Sequence, residues 1–591
     1  MSVFDLGSLG EVMVADVLVW GGGIAGLSAA ITIKERSPGL DVLVVEKATA
    51  GWAGKADRGG GILAFLTPDD DPEEFIRFHV RHIGCFLEDQ ELLREYAYTC
   101  NRVLDHLDAW GVRVARERDG SWKYVKTPGA EVPWGLAGVD LDMCRRLRQR
   151  ARDLGTRFLD KVALVDLLVD GGRAAGAIGF GVEDGRCLLA RAKAVILASG
   201  SQNYRVLPMW SCGRGDGIAA AYRAGAEMRN AEFGSFVNMV HAASREVIFG
   251  AEDHMYNAVG EDVSARYRPG VQPDICPMAA VAWYREHLEG RGPVRVKSDE
   301  NVLQVGSEIL FATDLIWDRP AANAFWSRLW EKARSAEEGW GEAPEVLPGF
   351  VGEQSPVRVD HRMATTLPGL FAVGDVSYSG SAWTGAVPSP PGRIRGSGLM
   401  NAVWSARRGA IAAAEHAAGL EGLPGADDER AAGLKERIYA PLGREAGEAS
   451  GDIVRAVQAA MTPVKYSNWK SEERMREALG MVLEAKARLP ELKAQDPHDL
   501  ARCNEAASMV LCAEMFYRAS LERKESRGWF VREDYPETDD AGWLKWIVLR
   551  EEGGEMRLAA EDIPIERYPL KPWGAAGGRG RAKGGGGEKD G

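Results

Sequence analysis

Glycines and arginines are the residues of this chain whose spacing points to chemistry. Gly21-Gly22-Gly23-Ile24-Ala25-Gly26 follows the apolar run Asp16–Trp20 and precedes Leu27–Lys34, which reads as a helix. In a strand–turn–helix setting, G-x-G-x-x-G suits a pyrophosphate. Gly21 permits the tight turn, Gly23 lets backbone approach the phosphates, and Gly26 allows close helix packing, while the helix N-terminus faces the negative charge. A second apolar run, Asp41–Val45, ends in Glu46, placed to accept from ribose hydroxyls, with Lys47 beside it. The competing reading is an ordinary βα turn with a surface glutamate; the four elements in register favour the dinucleotide. Much further along, Arg393 and Arg395 stand before Gly396-Ser397-Gly398 at a predicted helix start. Two guanidiniums there can grip a planar anion bidentately, or form a structural ion pair.

These residues need a sheet to position them. The strand Ala194–Ala198 ends in Ser199-Gly200, Gly215-Asp216-Gly217 follows, and Gly369–Val373 forms another strand that ends in Gly374-Asp375. The dinucleotide half is therefore discontinuous, with residues 1–241 as its first part and 356–424 as its second. Residues 242–355 read as an inserted cap domain. Residues 425–535 form a helical domain, in which Ile453, Val454, Val457 and Met461 recur on one face and Ala506–Leu521 is apolar enough for a buried helix. Residues 536–573 make a C-terminal β segment with a strand over Trp543–Arg550. Residues 574–591 read as a flexible tail, either a docking arm or simply solvated.

A length of 591 residues requires several packed units, and 45% apolar with 27% charged residues is a globular composition. Lys and Arg number 73 against 86 Asp and Glu, a net charge of −13, which argues against nucleic acid as a partner. No apolar run approaches a membrane span and Met1–Val14 lacks the pattern of a signal peptide, so the expectation is a cytoplasmic protein without direct membrane insertion. The eight cysteines are scattered with no C-x-x-C pair, which excludes a disulfide framework, a zinc site or a ferredoxin-type cluster within the chain.

Several segments in order carry a family resemblance: GGGIAGLSAA at 21–30, RGGGI at 58–62, AVILASG at 194–200, GDG at 215–217, RAGAEMRNAEF at 223–233, GLFAVGD at 369–375 and ESRGWFVRED at 525–534. Together they resemble the flavoprotein subunits of the fumarate reductase and succinate dehydrogenase family, with RNAEF and Arg362–Thr366 most similar to the adenylylsulfate reductase alpha branch. GRIRGSGLMNA at 392–402 looks more like the fumarate reductases. The resemblance implies an α/β, Rossmann-like FAD-binding fold of the glutathione-reductase type, an inserted α+β cap closing over the isoalloxazine, and a C-terminal helical domain. It also implies FAD contacts from Gly21, Gly23, Ile24, Ala25, Gly26, Glu46, Lys47, Arg58, Gly59, Gly60, Gly61, Ala198, Ser199, Gly200, Asp216, Gly374, Asp375, Ser397 and Leu399. Covalent members use a histidine just upstream of the segment matching Gly59–Ile62. Ala53–Ile62 has none, so the FAD is expected to be non-covalent.

The family's catalytic positions are altered. Those that hold a histidine and an arginine in fumarate reductases correspond to Val237 and Phe249, and the usual His-x-x-Gly-Gly pattern before GLFAVGD is absent. The arginine that adenylylsulfate reductases place after the Phe-Val pair is also missing. His241 reads either as a replacement base or anion ligand or as a structural histidine, and His361 is open in the same way. Arg395, with Arg393, is the expected substrate clamp. The resulting expectation is an FAD-dependent oxidoreductase subunit that exchanges electrons between a small anionic substrate and a separate ferredoxin-like iron–sulfur subunit. The alternatives are an oxygen-reoxidised oxidase of the L-aspartate oxidase type and a non-catalytic flavin-binding assembly protein.

Overall fold

The computed structural model describes residues 6–58, 61–126, 135–140, 142–207, 212–243, 245, 255–267, 276–296, 344–377, 397–425 and 427–573. Strand β1 (Glu11–Trp20) runs into helix α1 (Ile24–Arg36), which leads to β2 (Val42–Glu46). Val17-Leu18-Val19 and Val42-Leu43-Val44-Val45 are buried along their whole length. Such runs suit a parallel sheet covered on both faces, where neither side of a strand meets water. Helix α1 exceeds the expected Leu27–Lys34 by about a turn at its start because Gly23, in extended conformation, is its N-cap.

Strands β3 (Arg157–Asp160), β4 (Val162–Asp170), β5 (Arg173–Gly181) and β6 (Cys187–Leu197) complete most of the sheet, in the order β3-β2-β1-β6-β5-β4. Helix α2 (Asp216–Arg223) and strands β7 (Phe236–His241), β8 (Val346–Gln354) and β9 (Leu370–Ala372) follow. Strand β9 lies parallel to β6, with Ala372 opposite Leu197. Trp20 in turn pairs with Val45 and with Leu197. The carboxyl ends of four parallel strands from distant parts of the sequence therefore finish level, and each leads within three residues to a glycine or a charged residue.

Antiparallel β7 and β8 pair from Val237 opposite Phe350 to His241 opposite Val346, and Gln202–Asn203 joins the other edge of β8. Residues 242 and 345 thus lie side by side, the Ala242 N–H donating to the Glu345 oxygen at 2.9 Å, while residue 355 follows the opposite end of β8. Helix α3 (Ser397–Ala418) packs on α1 behind the sheet. The helical region contains α4 (Asp428–Tyr439), α5 (Ser450–Met461), α6 (Glu472–Arg488) and α7 (Pro497–Glu522). Ile453, Val454, Val457 and Met461 share one buried cluster there, as their spacing predicts. The buried helix starts earlier than Ala506, since Asp496 caps it by accepting from the Asp499 N–H.

Strand β10 (Lys545–Glu552) begins two residues later than expected. The Asp539 carboxylate accepts from the Gly542 N–H and turns Asp540–Trp543 into a short helix, removing Trp543 from the strand. Strand β10 pairs with β11 (Glu555–Asp562) and, on its other edge, with Met228–Arg229.

Candidate functional site

The site is built where the parallel strands end. Gly21 has φ +115°, and a Cβ on it would lie 2.5 Å from the Ala198 carbonyl oxygen, so only glycine lets β1 and β6 finish this close. A Cβ on Gly26 would sit 1.9 Å from the Gly21 oxygen, which fixes the packing of α1 on the turn. Gly23 differs, since a Cβ there would meet nothing within 4 Å. No side chain caps α1, leaving the amides of its first turn facing that open space.

The second strand supplies the carboxylate. Glu46 accepts from the Gly22 N–H at 2.8 Å and from the Ala48 N–H at 2.9 Å, which pins it beside the glycine turn. Lys47 donates to Asp216 and to Glu505, both at 2.6 Å. Burial by itself would lower the Lys47 pKa; the charges of Asp216 and Glu505 outweigh it and hold the ammonium above its ordinary value. Arg205 and Arg214 also approach Glu505, at 3.8 and 3.5 Å. Lys47 and Asp216 are both expected at the cofactor. The structure brings them together, and adds Glu505 from the helical region.

A further cluster is not legible in the sequence. Lys55 Nζ donates to Ser201 Oγ at 2.9 Å, Glu353 Oε1 at 2.7 Å and Asp375 Oδ2 at 3.1 Å. Asp375 is expected here. Lys55, Ser201 and Glu353 are not, and they come from three separate stretches of sequence. The one available signal is the position of Lys55 between Gly54 and the RGGGI segment, at the start of the short helix Lys55–Arg58, whose preceding loop touches the glycine turn: the Gly51 N–H donates to the Gly22 oxygen at 2.9 Å.

The remaining expected residues divide into groups. Gly61 and Gly200 have positive φ, at +65° and +77°, and Ala198 and Ser199 close the end of β6. Gly374, φ +66°, has no room for a Cβ, which would fall 2.9 Å from the Ala25 side chain; its N–H donates to Ser405 Oγ. Leu399 lies in the first turn of α3, partly buried. Arg393, Arg395, Gly59, Gly60 and Phe249, and the side chains of Arg58 and Ser397, lie outside the described residues.

The two histidines are placed apart from this cluster. His241 ends β7, where its Nδ1 accepts from the Ala243 N–H at 3.2 Å. His361 bonds Asp89 at 2.8 Å and lies 3.5 Å from Glu95, while its carbonyl accepts from Arg408; none of these partners stands at the glycine turns or at Lys55. The Asp89 hydrogen bond raises the His361 pKa against the opposing effect of burial. Val237 is buried in an apolar cluster with Tyr204, Ala280 and Phe350, so it offers no proton to a substrate.

An FAD fits this donor set. Among the described residues nothing fills the Cβ position of Gly23, which leaves room for a pyrophosphate at the start of α1, where no side chain caps it, Glu46 is held where a ribose would be read, and the buried Ser199 hydroxyl has no hydrogen-bond partner. Level strand ends with glycine turns define a dinucleotide-binding flavoprotein.

Comparison with known proteins agrees. The FAD binding domain family matches residues 16–245, and the fumarate reductase flavoprotein C-terminal family matches residues 455–574. The fumarate reductase flavoprotein of Mycobacterium tuberculosis is 27% identical over 597 residues, covering 94% of this chain and 98% of the relative. Among solved structures, the Escherichia coli quinol fumarate reductase flavoprotein superposes with a TM-score of 0.80 at 22% identity, covering 95% of this chain and 98% of that one. Adenylylsulfate reductase from Archaeoglobus fulgidus gives 0.73 at 21% identity, covering 94% and 96%. The chain carries an FAD binding domain and a fumarate reductase flavoprotein C-terminal domain, has fumarate reductase flavoproteins as homologues, and is an FAD-dependent oxidoreductase.

Proposed function

We propose that the chain is a flavoprotein subunit that exchanges electrons between a small anionic substrate and a separate ferredoxin-like iron–sulfur protein. The observation that carries this reading is a mismatch between cofactor and cysteines. The site suits FAD, while the eight cysteines have no cluster-binding spacing, and those whose side chains are described form no disulfide and are mostly buried. Electrons that enter one at a time from a cluster must then come from another polypeptide. Bound FAD supplies the exchange of two electrons with the substrate and of single electrons with the partner.

The chain's own residues hold and select. The amides of α1 and Glu46 hold the dinucleotide end, and Arg395 with Arg393 grips the substrate's anionic group. The flavin is held without a covalent link. Burial of Val237 in the apolar core, in the position of a family histidine, removes one route for protonating fumarate, so a different small anion is the substrate.

Anaerobic photoreduction of the FAD-loaded protein tests the reading. Reduced protein should pass electrons quickly to an added ferredoxin and react slowly with oxygen. Rapid reoxidation by oxygen with stoichiometric hydrogen peroxide, and no transfer to ferredoxin, would make it a self-sufficient oxidase. Fast fumarate turnover with reduced viologen would overturn the substrate assignment, because loss of a general acid removes roughly 10²- to 10⁴-fold in rate.

A further inference from the structure

Lys55 occupies a junction. One residue before it, Gly54 stands over the pyrophosphate seat, its Cβ position 4.0 Å from the Gly23 Cα. Its three partners come from three sides: Ser201 follows β6, Asp375 follows β9, and Glu353 lies in β8, at one end of the inserted segment. Ligands of open α/β sheets bind outside the carboxyl ends of the strands. Asp375 stands there beside Gly374, which touches Ala25 in the first turn of α1.

Lys55 meets the carboxylates of both Glu353 and Asp375, and both ion pairs have less than a quarter of their side chains exposed. Glu353 also adopts φ +60°, left-handed backbone that a residue with a side chain rarely accepts, next to Gly352 at φ +90°. The chain bends unfavourably to bring this carboxylate to Lys55, as happens where the surroundings over-determine a functional geometry.

We propose that Lys55 is a positioning residue for the flavin: its ammonium fixes Glu353 and Asp375 at the strand ends and offsets their charge, making bound FAD easier to reduce than two bare carboxylates would allow. Reduction places negative charge on a flavin, and nearby protein charge is one of the means by which a protein tunes it. Two carboxylates without the lysine would disfavour the reduced form selectively. The proposal rests on FAD being bound, and is independent of the substrate and of the iron–sulfur partner.

The test uses the full-length FAD-loaded protein and needs no substrate. Midpoint potentials from anaerobic dye-equilibration titrations, with dissociation constants for oxidised FAD, are compared for the parent, Lys55→Met, Lys55→Arg and Glu353→Gln. In Lys55→Met the affinity for reduced FAD should fall at least tenfold more than that for oxidised FAD, a potential lower by ~30 mV for a two-electron couple. Lys55→Arg should stay near the parent, and Glu353→Gln should shift the potential upward. Equal loss of both affinities in Lys55→Met, leaving the potential unmoved, would make the lysine merely structural and overturn the proposal. Should Lys55→Met fail to fold or retain FAD, Glu353→Gln decides: a rise supports the proposal, and no change or a fall overturns it.

Discussion

Two regions of this protein concentrate charge, and they use it in opposite ways. At the strand ends, Lys47 and Lys55 each meet two carboxylates at a partly exposed surface beside glycines that leave space. Beyond helix α7, Arg523, Arg527 and Arg532 are buried completely or nearly so. Arg523 donates to Glu232 at 3.0 Å and to Glu525 at 2.8 Å. Arg527 reaches Glu525, Asp540 and the Cys85 carbonyl, and Arg532 reaches Asp534 and the Arg523 carbonyl. The first arrangement lies at the strand ends, where the dinucleotide is proposed to bind. The second clasps four stretches of chain around the end of a helix. ESRGWFVRED, one of the segments that together carry the resemblance, lies in the clasp, so a motif rich in charge can be the mark of an assembly point and not of a reaction.

The comparison breaks most visibly at Arg523. Arg523→Met removes the arginine that Glu232 bonds in the interior, while Glu525 keeps Arg527, and losing one partner of a buried pair costs about 3–5 kcal/mol. Urea unfolding should show that loss, while any folded fraction keeps its FAD affinity; an unchanged midpoint would show that the clasp does not bear on stability.

Lys470 is the exception within the clasp. It is fully buried over the Phe530 ring at 4.2 Å, and its Nζ has no hydrogen-bond partner. Burial, reinforced by Arg532 and opposed by Glu232, lowers its pKa from 10.5 to about 7. The sign follows from the depressed value: the unfolded chain takes up a proton below pH 10.5 that the folded chain refuses until about pH 7. Its contribution to stability is therefore lost as pH falls through that window, by about 1.4 kcal/mol per pH unit. Lys470→Met should remove this slope and raise stability at neutral pH, read as the difference between parent and variant urea midpoints from pH 7 to 10. Parallel curves would contradict it.

For the proposed substrate clamp the expected effects are on turnover. Arg395→Lys should fold and keep FAD, yet lose substrate-driven flavin reduction or oxidation by on the order of 10²-fold, because lysine cannot reproduce two parallel guanidinium donors. Parent-like rates would make the arginine structural.

The smallest effect belongs to His361. Its pKa is raised first by the Asp89 hydrogen bond, and that of Asp89 is lowered: burial opposes this, and His361 outweighs it. The histidine's contribution is full below its ordinary 6.5 and fades as pH rises through the elevated folded value. The aspartate's is full above 3.8 and fades as pH falls through its depressed one. Asp89→Asn should return the His361 proton NMR titration toward lower pH; an unmoved midpoint would assign the shift to Glu95.

What can be read in the sequence is local. Gly21, Gly23, Gly26 and Glu46 announce themselves because strand, turn and helix are adjacent in the chain and only glycine satisfies the turn. Lys55, Ser201, Glu353 and Glu505 carry no such mark. They are ordinary polar residues that become neighbours only when distant strands align, and nothing in their own surroundings distinguishes them. Strand β10 starts two residues later than its apolar run suggests for a related reason: the side chain of Asp539 competes with the ladder for the start of that segment, a choice made by one hydrogen bond. Histidine chemistry is the most misleading signal, since His361 owes its character to helix Gln90–Thr99 and its capping residue Asp89.

The pairing of β7 with β8 bears on how such a molecule can diversify. His241 and Val346 face each other across an antiparallel ladder, so the hundred or so residues between them leave and return at one point. Neighbouring strands lie about 5 Å apart, a gap a short turn can span. The segment between them is thus a cassette. It can change in length or character without moving the facing ends of β7 and β8, so long as it keeps the helix that sets Ala280 beside Val237 and Phe350 and Tyr284 against Trp469, which gives one nucleotide-binding platform a means to diversify by replacing what is spliced into it.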